Sequence, residues 1–559
     1  MKKIIVYIKR HYWQFWLLLI LALATFLRTF NFNKIPPSLF GDEVDTGYQA
    51  YSILKTGKDY FGNRFPVHFQ SFGDWRMPLY IYATVPSIAV FGLTNFAVRL
   101  PGLIFSLSGI VVTFFLVKEI TNNTKIALLA SLFLVLSPWH FHFSRIALEV
   151  TLFNLLFLTA LFFFLKGQHN HRPVILMISG ILFALSLYAY STAKLFIPLF
   201  LSFLFLLQGK KLLAKKKMWY FLLPLLLISL PMGFDILFGQ GGSRFMNISI
   251  ITSPNIAERV ELARRECSRS GFWPRAIHNK VLFYFDDFVK NYLTSFSTDY
   301  LFIRGDPNFR HNPGEKGLLY PLFFPLILVG ACAIVINFLR NQDKRLLLPF
   351  LILFLTPVPA ALTQNGGAHA IRTYQFLPWW EFLAAYGLVG IFTLIKSGRL
   401  KKLFVSIFSL ALLLSSFSFF HFYFLHFPNK QGSWWRWWNY GYQQTFDYLN
   451  QVEDEYRQIY FSPAYDPPIV YALFYNRYSP QTIQKEITIS PVGLGKYLFA
   501  NPDLSFLKTG EKKDGILFVV TPGYTQAMGY SLEGYSSIKI VKEIPYPDGE
   551  VAFYIFKTI

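Results

Sequence analysis

Acidic residues are scarce in this chain: 31 Asp and Glu stand against 53 Lys and Arg, leaving a formal charge of +22. Charge of either sign is itself thin, at 15% of 559 residues, where a soluble domain carries about a quarter. That shortage excludes an ordinary soluble globular protein. Cysteine is nearly missing. Cys267 lies in a polar loop and Cys332 in an apolar run, so they build no disulfide framework and read as incidental. The basic excess does not indicate nucleic acid either, because the cations fall in short clusters between apolar runs and form no patch. No Gly-rich phosphate loop and no DxD-type metal site stands out.

What the chain has in abundance is apolar and aromatic surface, 53% hydrophobic and 19% aromatic. Bilayer-crossing stretches need roughly 17–25 residues. They fall near 13–31, 99–117, 126–143, 148–165, 174–190, 194–208, 218–238, 317–338, 346–362, 376–395 and 403–426. The sequence therefore predicts a polytopic α-helical membrane protein with about eleven spans. Lys2, Lys3, Lys9 and Arg10 assign the N-terminus to the cytoplasm. Every second connection is then basic: Lys118 and Lys125; Lys166 and Arg172; Lys210, Lys211, Lys215, Lys216 and Lys217; Arg340, Lys344 and Arg345; Lys396, Arg399, Lys401 and Lys402. Short basic loops belong inside, so the pattern fixes one orientation. The first segment meets Leu27-Arg28 without a clear cleavage context and reads as a retained span.

The outer face receives the first loop (32–98), the long loop (239–316), short turns and the tail. The stretch 77–93 carries Pro78 and Pro86 and reads as a helix lying in the interface. Residues 1–426 form the expected membrane domain, and 427–559 a small extracytoplasmic α/β domain. In the tail, 457–463, 515–522, 537–544 and 551–559 read as strands, with helical patterns near 440–453 and 467–476. A structural or acceptor-docking role is expected for that domain. The run 434–438, WWRWW, reads as an interfacial aromatic belt.

Ionisable residues concentrate at five outer-face positions. Asp42 and Glu43 follow the first span in PPSLFGDEVDTGYQAY, and GDWRMPLY supplies Asp74 and Arg76. Arg145 and Glu149 are spaced to share a helical face in SPWHFHFSRIALE. Lys194 ends YAYSTAK, and AHAIRTYQFLP spaces His369 and Arg372 to share a face. Carboxylates near lipid are costly and call for a functional explanation. Arg grips phosphate through a planar fork and Lys as a point charge. Each residue also has a plainer reading. Asp42 and Glu43 would cap a helix starting near Val44, Arg145 with Glu149 would be an i,i+4 pair, Arg76 and Arg372 would snorkel to headgroups, and His369 would be an ordinary loop histidine.

With these residues in view, the chain resembles the membrane-embedded GT-C glycosyltransferases. The likeness is to the protein O-mannosyltransferase-like and lipid A aminoarabinose transferase-like families. GDEVDTGYQAY, RMPLY before FGLTNFAVRLPGL, SPWHFHFSRIALE and YAYSTAKLFIPL carry it, over roughly residues 10–430. The resemblance implies a polyprenyl-phosphate sugar donor, a protein, lipid or glycan acceptor, an extracytoplasmic site in the cell (plasma or inner) membrane, and an inverting single displacement. It implies Asp42 as the catalytic base, with Glu43, Arg76, Arg145, Glu149, His369 and Arg372 binding substrate; Lys194 joins the substrate-binding set as an outer-face cation suited to phosphate. Glu149 departs from the family's usual Asp. A divalent metal stays open, and Glu43 with His278 or His311 is the set the loops offer. A transporter would show internal repeats and midplane charges, and no repeat is visible. A non-enzymatic envelope assembly protein would not depend on Asp42.

Overall fold

A computed structural model describes residues 2–559, apart from 73, 170–171, 210–215, 268–270, 431, 464–465 and 487–491. Lys210, Lys211 and Lys215 of the third basic connection lie outside the described residues. The chain forms two compact units. One comprises Met1–Phe30, Gly102–Ser144 and Leu148–Phe419; the other comprises Asn31–Pro101, Arg145–Ala147 and Phe420–Ile559.

The first unit is helical. Among the described residues, eight helices in the whole chain are long and apolar enough to cross a membrane: Tyr12–Thr29, Asn95–Thr121, Glu149–His169, Lys216–Phe238, Phe323–Asn341, Lys344–Ala361, Tyr374–Leu394 and Gly398–Asn429. The other three expected spans coincide with shorter apolar helices, Thr124–Leu136, Pro173–Ser186 and Ala193–Gln208. Small residues let two helices meet closely in this unit. A Cβ on Gly330 would collide with the Leu383 carbonyl, and one on Gly387 with the Leu326 carbonyl. Without a hydrophobic force between helices in lipid, such close backbone approach supplies the packing.

In the second unit the first loop folds against the tail. The helix Gly41–Thr56 is followed by a two-stranded ribbon, β1 (Phe69–Gln70) and β2 (Trp75–Arg76), and the helix Pro78–Phe91. The tail builds a mixed six-stranded sheet from β3 (Gln458–Phe461), β4 (Gly493–Leu494), β5 (Tyr497–Leu498), β6 (Ile516–Val520), β7 (Ile538–Pro545) and β8 (Val551–Thr558). Their order is β4-β5-β3-β6-β8-β7, with β3 parallel to β5 and β6. One face buries Phe518, Val520 and Phe556 with Leu504 and Phe506. The four strands expected from the sequence are β3, β6, β7 and β8. β4 and β5, two residues each, are too short to leave a periodic pattern.

The tail grips the first loop with specific bonds. Tyr48 Oη donates to the Tyr478 carbonyl at 3.0 Å, and Ser38 Oγ to the Trp438 carbonyl at 2.7 Å. Gln484 Nε2 donates to Thr56 Oγ1 and the Asp59 carbonyl at 2.9 and 2.8 Å. Gly47 sits where the helix Pro468–Tyr475 crosses the helix Gly41–Thr56, and a Cβ there would lie 2.6 Å from both Phe474 and Val98.

Candidate functional site

The second unit gathers the acids around the start of the helix Gly41–Thr56. Asp42 and Glu43 stand in its first turn, where carboxylates favour the positive end of the helix dipole. Successive helical residues are ~100° apart, so these two neighbours point to different surroundings. Asp42 is 45% exposed in its side chain, and Arg76 Nη2 meets its Oδ1 at 2.9 Å. Asp45, three residues on and on the same face, is buried and meets Nε of the same Arg76. Tyr60 Oη donates to Asp45 Oδ1 at 2.6 Å. Burial pushes the Asp45 carboxyl above its ordinary range, with Arg76 pulling it back.

The ribbon explains why Arg76 arrives there. Gln49, on the acidic helix, donates through Nε2 to the Gln70 carbonyl at 2.7 Å, and β1 pairs Phe69 with Arg76. The turn closes with Ser71 N–H donating to the Asp74 carbonyl at 2.9 Å, while Asp74 Oδ1 accepts from Trp75 N–H.

Glu43 faces the interior. It has no solvent exposure, and Arg99, 1% exposed, grips both its oxygens at 2.8 and 2.9 Å. Ala147 N–H donates to Oε1 at 2.8 Å and Phe40 N–H to Oε2 at 3.4 Å. Arg99 also donates to the Pro36 and Ser38 carbonyls, tying the loop that enters the helix. This geometry occupies both Glu43 oxygens with protein donors.

Arg145 is likewise buried. It donates to the carbonyls of Ile35 and Asn31, each at 2.9 Å from Nη2, beneath the rings of Phe32, Tyr423 and Phe424. Burial draws its guanidinium below the usual range. The expected shared helical face with Glu149 is not formed. The helix Pro138–Phe143 ends before Arg145, which lies in a turn, and Glu149 opens the next helix, at the N-terminal position that suits an acid.

The first unit gathers His369, Arg372, Asp306 and His311. His369 and Arg372 lie on a tight turn closed by Thr373 N–H donating to the His369 carbonyl at 3.1 Å, not on a helix. Arg372 Nη1 donates to Thr363 Oγ1 and to the Gln364 carbonyl. Burial, then the charges of Arg372, His311 and Arg244, hold His369 well below the ordinary histidine range. Lys194 Nζ donates to the Gly241 carbonyl at 2.7 Å. Among the described residues one group could hold a metal: Asp306, His311 and His369, whose ligand atoms lie within 4.8 Å of one another. The alternative set named from the sequence has other partners. Glu43 is taken by Arg99, His278 Nε2 faces Cys267 Sγ at 3.4 Å, and His311 Nδ1 meets Asp306 at 2.8 Å.

Asp45, Tyr60, Arg99 and Asp306 were missed by sequence reasoning. Asp45 was visible three residues after Asp42 in GDEVDTGY, and Arg99 in the AVRLP run. Tyr60 and Asp306 carried no local signal.

Residues 76–233 match the family described as dolichyl-phosphate-mannose-protein mannosyltransferase. No curated protein matches the sequence. Two crystal structures of ArnT from Cupriavidus metallidurans share the fold, each 14% identical over 97% of this chain and 98% of theirs. The TM-score is 0.55 for the apo state and 0.52 for the one bound to undecaprenyl phosphate. The apo oligosaccharyltransferase of Archaeoglobus fulgidus scores 0.53 at 13% identity, over 92% of this chain and 70% of that one. The protein is thus a polytopic helical membrane protein of the GT-C fold with a small C-terminal α/β domain. Its residues 76–233 carry the sequence pattern described for the mannosyltransferase family.

Proposed function

We propose that this chain moves a hexose or pentose from a polyprenyl-phosphate donor to a protein, lipid or glycan on the outer face of the cell membrane. The observation that carries the reading is the split between adjacent acids: Asp42 is half exposed and braced by Arg76, while Glu43 is sealed against Arg99. In the reaction Asp42 takes the proton of the acceptor's hydroxyl or amine as that atom attacks the anomeric carbon. The bond from that carbon to the phosphate oxygen breaks on the opposite side, so configuration inverts and polyprenyl phosphate departs. The leaving phosphate needs cations more than a proton. Arg372, with Lys194, is the donor-phosphate set; Arg76 orients the Asp42 carboxylate. The lysine-rich connections keep the N-terminus cytoplasmic and the tail extracytoplasmic.

Mass spectrometry of lipids from cells lacking the protein tests this reading. A polyprenyl-phosphate sugar should accumulate and disappear when the wild-type chain is restored. Unchanged prenyl-phosphate lipids would contradict it.

A further inference from the structure

The group formed by Asp306, His311 and His369 is not used by the displacement chemistry above, and its geometry is that of a ligand set. His311 Nδ1 lies 2.8 Å from Asp306 Oδ2, and the rings of His311 and His369 have centroids 4.8 Å apart. Asp306 and His311 are both buried. His369 Nδ1 is enclosed and has no hydrogen-bond partner. Enclosed polar atoms are nearly always satisfied, so this nitrogen asks for an occupant.

The surroundings hold the three side chains in place. Asn308 N–H donates to Asp306 Oδ1 at 2.8 Å, and Ala370 N–H to Asp306 Oδ2 at 2.7 Å. Such donors onto a ligating carboxylate are the usual outer shell of a metal site. Ala370 follows His369 in the chain, so the same bond fixes the histidine's position. Thr373 adds a second hold, donating through Oγ1 to the His369 carbonyl at 3.0 Å while pairing with Tyr300 Oη at 2.7 Å.

We propose that Asp306, His311 and His369 bind a divalent transition ion of the zinc class. Two imidazoles and one carboxylate make a mixed nitrogen and oxygen set that suits zinc better than magnesium or calcium, which prefer oxygen alone. Three protein ligands leave a fourth position for water or an anion. A hydrogen-bonded Asp306–His311 clasp without metal accounts for those two residues but leaves His369 Nδ1 unexplained. The proposal does not depend on sugar transfer, and its test reads metal, not turnover.

The full-length chain, purified in detergent and stripped with a chelator, should take up one equivalent of Zn²⁺ by elemental analysis after dialysis. His369→Gln and Asp306→Asn should lower Zn²⁺ affinity about 100-fold or more, beyond the roughly 10–100-fold cost of losing an outer-shell partner. His278→Ala, which removes the histidine beside Cys267, should bind as wild type does. Co²⁺ added to the wild-type chain should show the ligand-field bands of a nitrogen-ligated tetrahedral ion, a readout that holds even if a variant fails to fold. Wild-type protein that binds no Zn²⁺ and shows no such bands would overturn the proposal. So would a folded His369→Gln with unchanged affinity, or loss of the metal in His278→Ala.

Discussion

Two clusters, one in each unit, treat charge in opposite ways. Around the helix Gly41–Thr56, acids are paired with guanidinium groups: Glu43 with Arg99, and Asp42 and Asp45 together with Arg76. In the other unit a single carboxylate, Asp306, keeps company with two histidines and with the nearby charge of Arg372. The first arrangement satisfies itself and leaves one acid, Asp42, partly in solvent. The second leaves an enclosed nitrogen without a partner. Saturated pairs hold a scaffold, whereas unsaturated or exposed groups are where ligands and reacting atoms go.

Breaking a saturated pair should give the largest loss of stability. Arg99→Ala strands the Glu43 carboxylate out of water and should cost about 3–5 kcal/mol, read as a lowered unfolding temperature in detergent. An unchanged midpoint would show that the pair is not structural. Next comes Arg372→Ala. Losing a charged donor to phosphate, about 1.5–3 kcal/mol, should raise the donor KM roughly 10- to 100-fold while the unfolding midpoint stays put. A normal KM removes Arg372 from the phosphate set.

Gly47→Ala tests the grip of the tail on the first loop. The added methyl meets Phe474 and Val98 in a packed contact and should destabilise by about 1–3 kcal/mol. Equal or greater stability would mean that the crossing helices are not packed there. The smallest effect concerns pH. Because burial raises the folded Asp45 carboxyl, the folded state holds a proton that the unfolded chain releases above about pH 4. Its contribution therefore fades as pH rises through that window, so the melting-temperature difference, wild type minus Asp45→Asn, should fall with pH. A difference flat across pH contradicts the assignment.

Much of the architecture was legible because lipid demands long apolar runs. Each expected span coincides with an apolar helix, and the four longer tail strands show as alternating segments. The candidate site was legible only where residues are local. Asp42 announced itself beside the first span, but adjacency in sequence hid its separation from Glu43, because a helix turns ~100° per residue. The partner of Glu43 lies 56 residues away in the chain, which no local pattern reveals. Arg145 and Glu149 had the spacing of a helical pair, yet the helix breaks between them, and spacing cannot see that turn.

Sugar transfer from a polyprenyl-phosphate donor, timed in a single turnover with Asp42→Asn and Glu43→Gln side by side, separates a reacting acid from a buried one. Asp42→Asn should lose about 10²–10⁴ of the rate while melting as wild type does. Glu43→Gln should lose stability first. A folded Asp42→Asn that transfers sugar at the wild-type rate would contradict Asp42 as the base.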